Sequence, residues 1–516
     1  MQGWPKMMSE FQRQHPASAI SGAFALIREN FVTILIFLFL GVSNENLDFL
    51  WWISGGFIVL LLLGFGSWWR FEYKIENGEL HIRRGLFVRK NLYLTKDRIQ
   101  VIDITAGLVQ RLFGLVKVDI QTAGSSSREA SIEAVSLQRA KEINRLLRGE
   151  TDSSDAGESE EISETIDKPQ KIFTLPGKEL LIAASTSGSF GIAFSILATV
   201  FSQAEPLLDE SEMYDIIIGL LPAQNDLFTI IVMVVIFAAA AWLLSFISTL
   251  LSYGDFKLEV KPDEMVISRG IFEKKRLTIP YNRIQAVHIS EGIIRQPLGY
   301  ASVHIESAGY GDDKGTGSIV LFPLMKRDEL LLFLNDILPD YQKLHEGVRP
   351  PARAARRYMI RASVVITAIT AALYWLLSLN NWVWIIPALS VYWGWLRYRD
   401  AAAALSEDVL VIRSRQLAKN TAYIKRKRIQ DATISQSWIQ CFRNLCTVTV
   451  HVASGDQGKS FSVTDLEAAE GRFLLKELKG HGMSYGDLQD IPAPEFTVKL
   501  PGWPHSLIGS DQAAAN

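Results

Sequence analysis

Arg98-Ile99-Gln100 is written three times in this chain, recurring as Arg283-Ile284-Gln285 and as Arg428-Ile429-Gln430. The similarity extends outward from each triplet. Phe71 to Gly124 meets Phe256 to Gly309 without a gap, at an offset of about 185 positions. Ile82, Arg84, Gly85, Leu92, Ile104, Gly107 and Gly114 fall on Ile267, Arg269, Gly270, Leu277, Ile289, Gly292 and Gly299. The third copy keeps register through Ile412, Ile434, Val448 and Val450 but carries Arg415, Ser437 and Asn444 at glycine positions. The fold is therefore one unit used three times.

Each unit follows apolar sequence. Six apolar segments pair as Ala23–Val42 with Phe49–Trp69, Leu180–Phe201 with Leu227–Leu251, and Met359–Leu377 with Trp382–Leu396. Hydrophobic residues make up 48% of the 516 positions, charged residues 21%. Mean hydropathy is +0.14. Separate apolar and polar blocks of this kind mark a membrane protein with soluble domains. With a net charge of −2 there is no nucleic-acid signature. Residues 1–20 contain no apolar run leading to a small-residue cleavage site, so no cleavable signal peptide is expected.

Lys and Arg are missing between Glu29 and Trp69, between Glu179 and Phe256, and between Ala362 and Leu396. They crowd the opposite flanks, at Arg13, Arg70, Lys74, Lys178, Lys257, Arg353 and Arg397 among others. The positive-inside rule places those flanks in the cytoplasm. All three units and both termini then face one compartment.

Within a unit, alternation predicts short strands followed by one helix. In the first copy Phe71–Glu76 turns at Asn77-Gly78 into Glu79–Arg84, and Val88–Leu94, Ile99–Thr105, Val116–Thr122 and Ser131–Ala134 follow. Helices are expected at Leu137–Leu147, Met325–Leu338 and Asp465–Leu478, the last opened by a Thr464/Glu467 capping box. Gly85, Gly107, Gly114 and Gly124 are expected to have positive φ. Glu150–Asp167 is acidic and Ser-rich and is expected to be a disordered linker.

Paired apolar segments, then Leu94–Gln100, Gly107, Leu112-Phe113-Gly114 and Thr122-Ala123-Gly124, resemble the membrane-flanked bacterial pleckstrin-homology-like (PH-like) domain family, in a three-unit form. His15-Pro16 fits the same pattern. The resemblance covers nearly the whole chain outside the linker and tail. It implies a multi-domain α+β membrane protein, with three transmembrane helical hairpins alternating with three PH-like β-barrels, each closed by a C-terminal helix. Hairpins are expected at 23–69, 179–252 and 359–397, and units at 70–148, 253–342 and 398–482. An N-terminal segment (1–22), linkers (149–178 and 343–358) and a tail (483–516) complete the chain. The resemblance further implies a single-unit, YdbS-like membrane homologue as partner, with a role in envelope homeostasis or tolerance of membrane-active agents. It implies no settled activity.

No Ser–His–Asp, HExxH or paired-carboxylate set can be picked out, so neither an enzyme, a cofactor nor a metal site is expected. Cys441 and Cys446 read as reduced thiols, a metal pair being the minor alternative. His81, His288, His304 and His451 read as isolated strand residues. The candidate lipid- or partner-binding residues are basic: Arg98, Arg283 and Arg428 of the triplets, with Arg89, Lys90, Lys274, Lys275, Lys425, Arg426 and Lys427. A guanidinium is a planar donor fork suited to phosphate or carboxylate. The alternative is that the triplet arginines bond backbone within their own units, and triple recurrence favours it, because structure must repeat and ligands need not. A non-enzymatic membrane scaffold binding protein partners or anionic headgroups follows. The other reading is a transporter or export subunit, with Ser185, Thr186, Ser187, Ser189, Thr367 and Thr370 facing a polar cavity.

Overall fold

The computed structural model describes residues 11–20, 48–76, 79–86, 88–122, 130–148, 170–188, 190–204, 227–308, 318–341, 347–377, 380–406, 408–455 and 458–479. The expected segment Ala23–Val42, the acidic linker, most of the loop 202–226 and the tail lie outside them.

The first unit comprises β1 (Gln12–Arg13), α1 (Asp48–Trp69), β2 (Glu72–Glu76), β3 (Glu79–Arg84), β4 (Lys90–Thr95), β5 (Ile99–Ala106), α2 (Leu108–Leu112), β6 (Leu115–Thr122), β7 (Ala130–Ser136) and α3 (Leu137–Arg148). The second comprises β8 (Lys171–Thr174), α4 (Gly177–Ser185), α5 (Phe190–Ala204), α6 (Leu227–Tyr253), β9 (Lys257–Val260), β10 (Glu264–Arg269), β11 (Lys274–Pro280), β12 (Ile284–Glu291), β13 (Tyr300–Ser307), β14 (Ser318–Lys326) and α7 (Arg327–Ile337). The third comprises α8 (Ala352–Leu377), α9 (Ile385–Asp400), β15 (Ala402–Ser406), β16 (Val409–Arg415), β17 (Lys419–Lys425), β18 (Ile429–Ser435), α10 (Trp438–Cys441), β19 (Leu445–Val452), β20 (Lys459–Glu467) and α11 (Ala468–Lys479).

Alternation builds each core. On β3, Leu80 and Ile82 are buried while Arg83 and Arg84 are exposed. They pack with Val118, Ile120 and Ile132 of the second sheet and with Ala140, Ile143 and Leu147 of α3. Each large aliphatic side chain buried this way contributes about 1.5–3 kcal/mol.

The expected closed barrel is not what forms. In each unit the strands, seven, seven and six in turn among the described residues, divide into two antiparallel sets. A three-residue 3₁₀ turn separates them, at Lys96–Arg98, Tyr281–Arg283 and Arg426–Arg428. The arginine of each triplet ends that turn, and its isoleucine starts the second sheet. The hydrogen bonds that would close a barrel go to a neighbouring unit instead. β5 pairs with β11 at Ile104↔Arg276, Thr105↔Lys275 and Ala106↔Lys274. β12 pairs with β17 from Ala286↔Ile424 to Glu291↔Lys419. On the repeat, Ala106 coincides with Glu291 and Lys274 with Lys419, so both joints have one register. The chain thus carries a continuous seven-stranded and a continuous six-stranded sheet across its two joints.

Among the described residues, Val234–Tyr253 and Ala352–Leu376 are long and apolar enough to cross a bilayer, or three spans exist if α4 and α5, bent by 52° at their break, count as one. Two of the three expected hairpins are seen as packed helix pairs. α6 packs on α4 and α5, and the Trp242 indole N–H donates to the Ser185 carbonyl at 3.0 Å. α8 packs on α9, where Gly394 lies so close that a Cβ would stand 2.6 Å from the Met359 Cα. Three of the hydroxyls expected to line a polar cavity bond the preceding turn of their own segment. Ser185, Thr186 and Thr370 donate to Leu181, Ile182 and Ile366 carbonyls at 2.7–2.8 Å. Ser187 accepts from Thr249 at 2.9 Å. Ser189 lies outside the described residues.

Two local expectations are corrected. α11 starts at Ala468, because β20 runs through Thr464 to Glu467. Gly107 has φ −71°, as the residue before α2. Gly114 and Gly299 do have positive φ, at 65° and 73°, and Asn444 takes the same position at 49°. Asn is among the few side chains that tolerate that region.

Candidate functional site

A basic pocket of about 470 Å³ opens where α1 leaves its apolar run. Arg13, Arg70, Arg83, Arg84 and Arg89 line it beside Trp69. Three parts of the chain meet here. β1 brings Arg13 by pairing with Glu72 of β2. The helix end brings Trp69 and Arg70. The β3–β4 turn brings Arg83, Arg84 and Arg89. Gly85 makes that turn at φ 118°, with the Val88 carbonyl 1.9 Å from where a Cβ would stand. The N-terminal segment is held by the Trp68 indole N–H donating to the Gln14 carbonyl at 3.0 Å, and by the His15 N–H donating to Ala134 at 3.1 Å.

Two of the guanidiniums are placed by aromatic rings. Arg13 lies over Trp69 at 4.7 Å and Arg83 over Phe11 at 3.9 Å. Stacking uses the guanidinium face and leaves its N–H edge for a ligand. Glu72, 3.6 Å from Arg13, is the one acid among the described lining residues. The pocket is strongly cationic and suits an anion.

A second basic cleft, of about 730 Å³, lies at the first joint. Lys141 and Arg145 of α3 face Lys257, Arg269, Lys274 and Arg276 of the second unit. Its acids are partly used: Asp255 lies 3.2 Å from Lys257 and 3.4 Å from Lys274. The hydrogen bond from Lys257 is the main cause that holds the Asp255 carboxyl below the usual range. The first joint has three residue pairs and stays open, whereas the second has six, with Val409 and Tyr423 packed into the second unit's core.

The basic residues singled out in the sequence do not form one site. Arg89 joins the arginine pocket, and Lys90 starts the exposed strand beside it. Lys274 and Lys275 line the joint cleft. Arg98 and Lys427 are exposed and apart. Lys425 pairs with Asp340 at 2.6 Å. Arg426 donates to the Leu478 and Glu477 carbonyls at the end of α11. Arg428 donates to the Asn282 carbonyl of the preceding unit at 2.6 Å. Arg283 has its affinity for the proton lowered, first by burial and then by Arg428. Arg428 thus bonds backbone, but of the neighbouring unit and not of its own.

Sequence reasoning saw the β3–β4 basic hairpin but took Arg13 and Arg70 only as orientation signals. Nothing in the spacing says that β1 folds back onto β2. It also read His288 and His304 as isolated. They stand opposite each other on β12 and β13, stacked with ring centroids 4.8 Å apart.

A family model described as Bacterial PH domain matches the chain three times, at residues 21–151, 214–338 and 356–481. The chain belongs to the bacterial PH domain family. Its three matches frame the three units, and the second, starting at residue 214, takes in α6 but not α4 or α5. The chain is also 33% identical, over 489 residues, to the UPF0699 transmembrane protein YdbT of Bacillus subtilis (strain 168). That alignment covers 91% of this chain and 98% of the relative. With its long apolar helices, this is a transmembrane protein carrying three PH-like units.

Proposed function

We propose that the chain is a non-enzymatic scaffold of the cell membrane, holding three PH-like units in one array against the anionic cytoplasmic leaflet. The single observation that carries this is the arginine pocket at the end of α1. With the apolar α1 read as a span, its exit at Trp68-Trp69 would hold the pocket at headgroup level, where aromatic rings collect. Each basic side chain near such a surface contributes about 1 kcal/mol of attraction. The polar groups buried elsewhere support the scaffold reading, since they tie elements together. The Arg295 side chain, for example, donates to Thr186 at 2.9 Å and to the Ala183 carbonyl at 3.2 Å, locking the second unit to α4. Burial lowers the proton affinity of this guanidinium. The basic flanks favour a cytoplasmic position for the units and both termini, where protein partners would bind them.

The test is lipid retention by the purified full chain. Native mass spectrometry with phosphatidylglycerol or phosphatidylcholine should show selective retention of the anionic lipid, lost in an Arg84→Gln/Arg89→Gln variant. Equal retention of both lipids, or no change in the variant, would sink the headgroup role.

A further inference from the structure

The two joints leave one half-joint unused at each end of the array. At both joints the first strand of a second sheet pairs with the last strand of the next unit's first sheet. The first unit's strand of the latter kind, β4, pairs with β3 alone, and the third unit's strand of the former kind, β18, pairs with β19 alone, among the described residues. One chain therefore ends in two complementary edges.

Their exposure agrees. β12, covered by the joint, is buried at seven of eight positions, whereas no residue of β18 is buried. β4 presents Lys90, Asn91 and Tyr93 to solvent, with Tyr93 58% exposed. A bare row of backbone N–H and C=O groups is a template for another strand, and proteins commonly cover or blunt such edges. Neither strand contains a proline, and neither edge pairs with a further described strand.

We propose that β18 of one copy pairs antiparallel with β4 of a second copy, in the register of the two internal joints. Carrying the repeat over places Asp431 opposite Leu94, Ile434 opposite Asn91 and Ser435 opposite Lys90. Each strand of the β4 kind begins with cations: Arg89 and Lys90, Lys274 and Lys275, then Lys419. In the second joint that cation meets Glu291. The outer contact would meet Gln436 there, a neutral partner suited to reversible association. Because the edges differ, the contact is head-to-tail, and it generates a ring or a filament in the membrane plane rather than a two-fold dimer.

The test uses full-length chains with Cys441→Ser, co-expressed in two tagged forms. One form carries Lys90→Cys and the other Ser435→Cys. Residues directly opposite across a strand pair are about 4.5–5.5 Å apart at Cα, within disulfide reach. Mild oxidation in native membranes should give a linked species carrying both tags. Asp431→Cys replacing Ser435→Cys, about 13 Å along the strand on the same face, should link poorly. Asn91→Cys with Ile434→Cys provides a second in-register pair should one variant misfold. Linkage of neither in-register pair, equal linkage at Asp431, or capture of a different PH-bearing chain by Lys90→Cys would overturn the proposal.

Discussion

Lys419 Nζ lies 2.8 Å from Glu291 Oε1, and the pair joins β17 of the third unit to β12 of the second with both side chains 8% exposed. Arg327 approaches the other carboxylate oxygen at 4.0 Å. Removing one partner leaves a buried charge alone, which costs about 3–5 kcal/mol, while an apolar pair of similar volume can be neutral. Glu291→Ala should therefore open the second joint, and Glu291→Met/Lys419→Met should largely restore it. Amide hydrogen exchange on β12 and β17 is the readout. Unchanged protection in Glu291→Ala would mean that the backbone ladder alone holds the units together.

A similar clamp fixes α8 to the third unit. Asp465 is fully buried, with Arg357 at 3.2 Å, Arg361 at 2.9 Å and the Gln440 amide donating at 2.8 Å. Its φ of 59° bends β20 so that the carboxylate faces the helix. Asp465→Ala should cost about 3–5 kcal/mol, for the same reason. Asp465→Asn keeps a smaller part of the loss by preserving an acceptor. Limited proteolysis between α7 and α8, with thermal melting in detergent, checks both. Equal stability of Asp465→Ala and the parent would show that Tyr358, whose hydroxyl donates to the Thr464 carbonyl at 2.6 Å, suffices.

How much of this was legible follows from what each signal encodes. The triple Arg-Ile-Gln located the sheet switch, because a turn that redirects a strand needs the same residues each time. Alternation identified which side chains face inward, and Leu80 and Ile82 are buried accordingly. Alternation does not say which strand pairs with which, since ladder hydrogen bonds are made by backbone common to all residues. The joints were therefore invisible, and a barrel was expected where sheets run from unit to unit. At the first joint Asp103 accepts the Thr278 N–H at 3.3 Å, but its counterparts are His288 and Thr433, so no repeated side chain announces the contact. The capping box misread at Thr464 fails for a related reason. A distant pair of arginines claims Asp465 and holds the segment extended. The arginine pocket was half legible, as a basic hairpin, and needed the fold to bring Arg13 and Arg70 to it.

Gly394 gives a steric prediction. An added Cβ would stand 2.6 Å from the Met359 Cα and 2.7 Å from the Tyr358 carbonyl oxygen, both backbone atoms that cannot swing aside. Small residues at helix crossings let backbones approach closely. Gly394→Ala should cost about 1–3 kcal/mol, as overpacking does, and Gly394→Leu should separate α8 from α9. Retention of the melting temperature by Gly394→Leu would show that the two helices slide freely on each other.

The histidine pair makes stability depend on acid. Burial holds His304 down to about 4 and pushes His288 well below its ordinary value, with neighbouring positive charge adding to both. The unfolded chain then binds protons that the folded chain refuses, between the ordinary histidine value near 6.5 and about 4. Stability from this source is complete above that window and falls as pH drops through it, by about 3 kcal/mol for His304. Glu306 lies 3.3 Å from His288 and acts in the opposite sense. Burial raises its proton affinity, so the folded chain takes up a proton first as pH falls. Lys459 adds its charge to all three groups, and Arg295 adds its own to His304. His304→Gln, which keeps a partner for the Ser302 hydroxyl, should flatten the loss of stability on acidification. Glu306→Gln should steepen it. Denaturant midpoints measured across the window check both signs, and parallel curves for parent and His304→Gln would show that the folded chain protonates His304 as readily as the unfolded chain does.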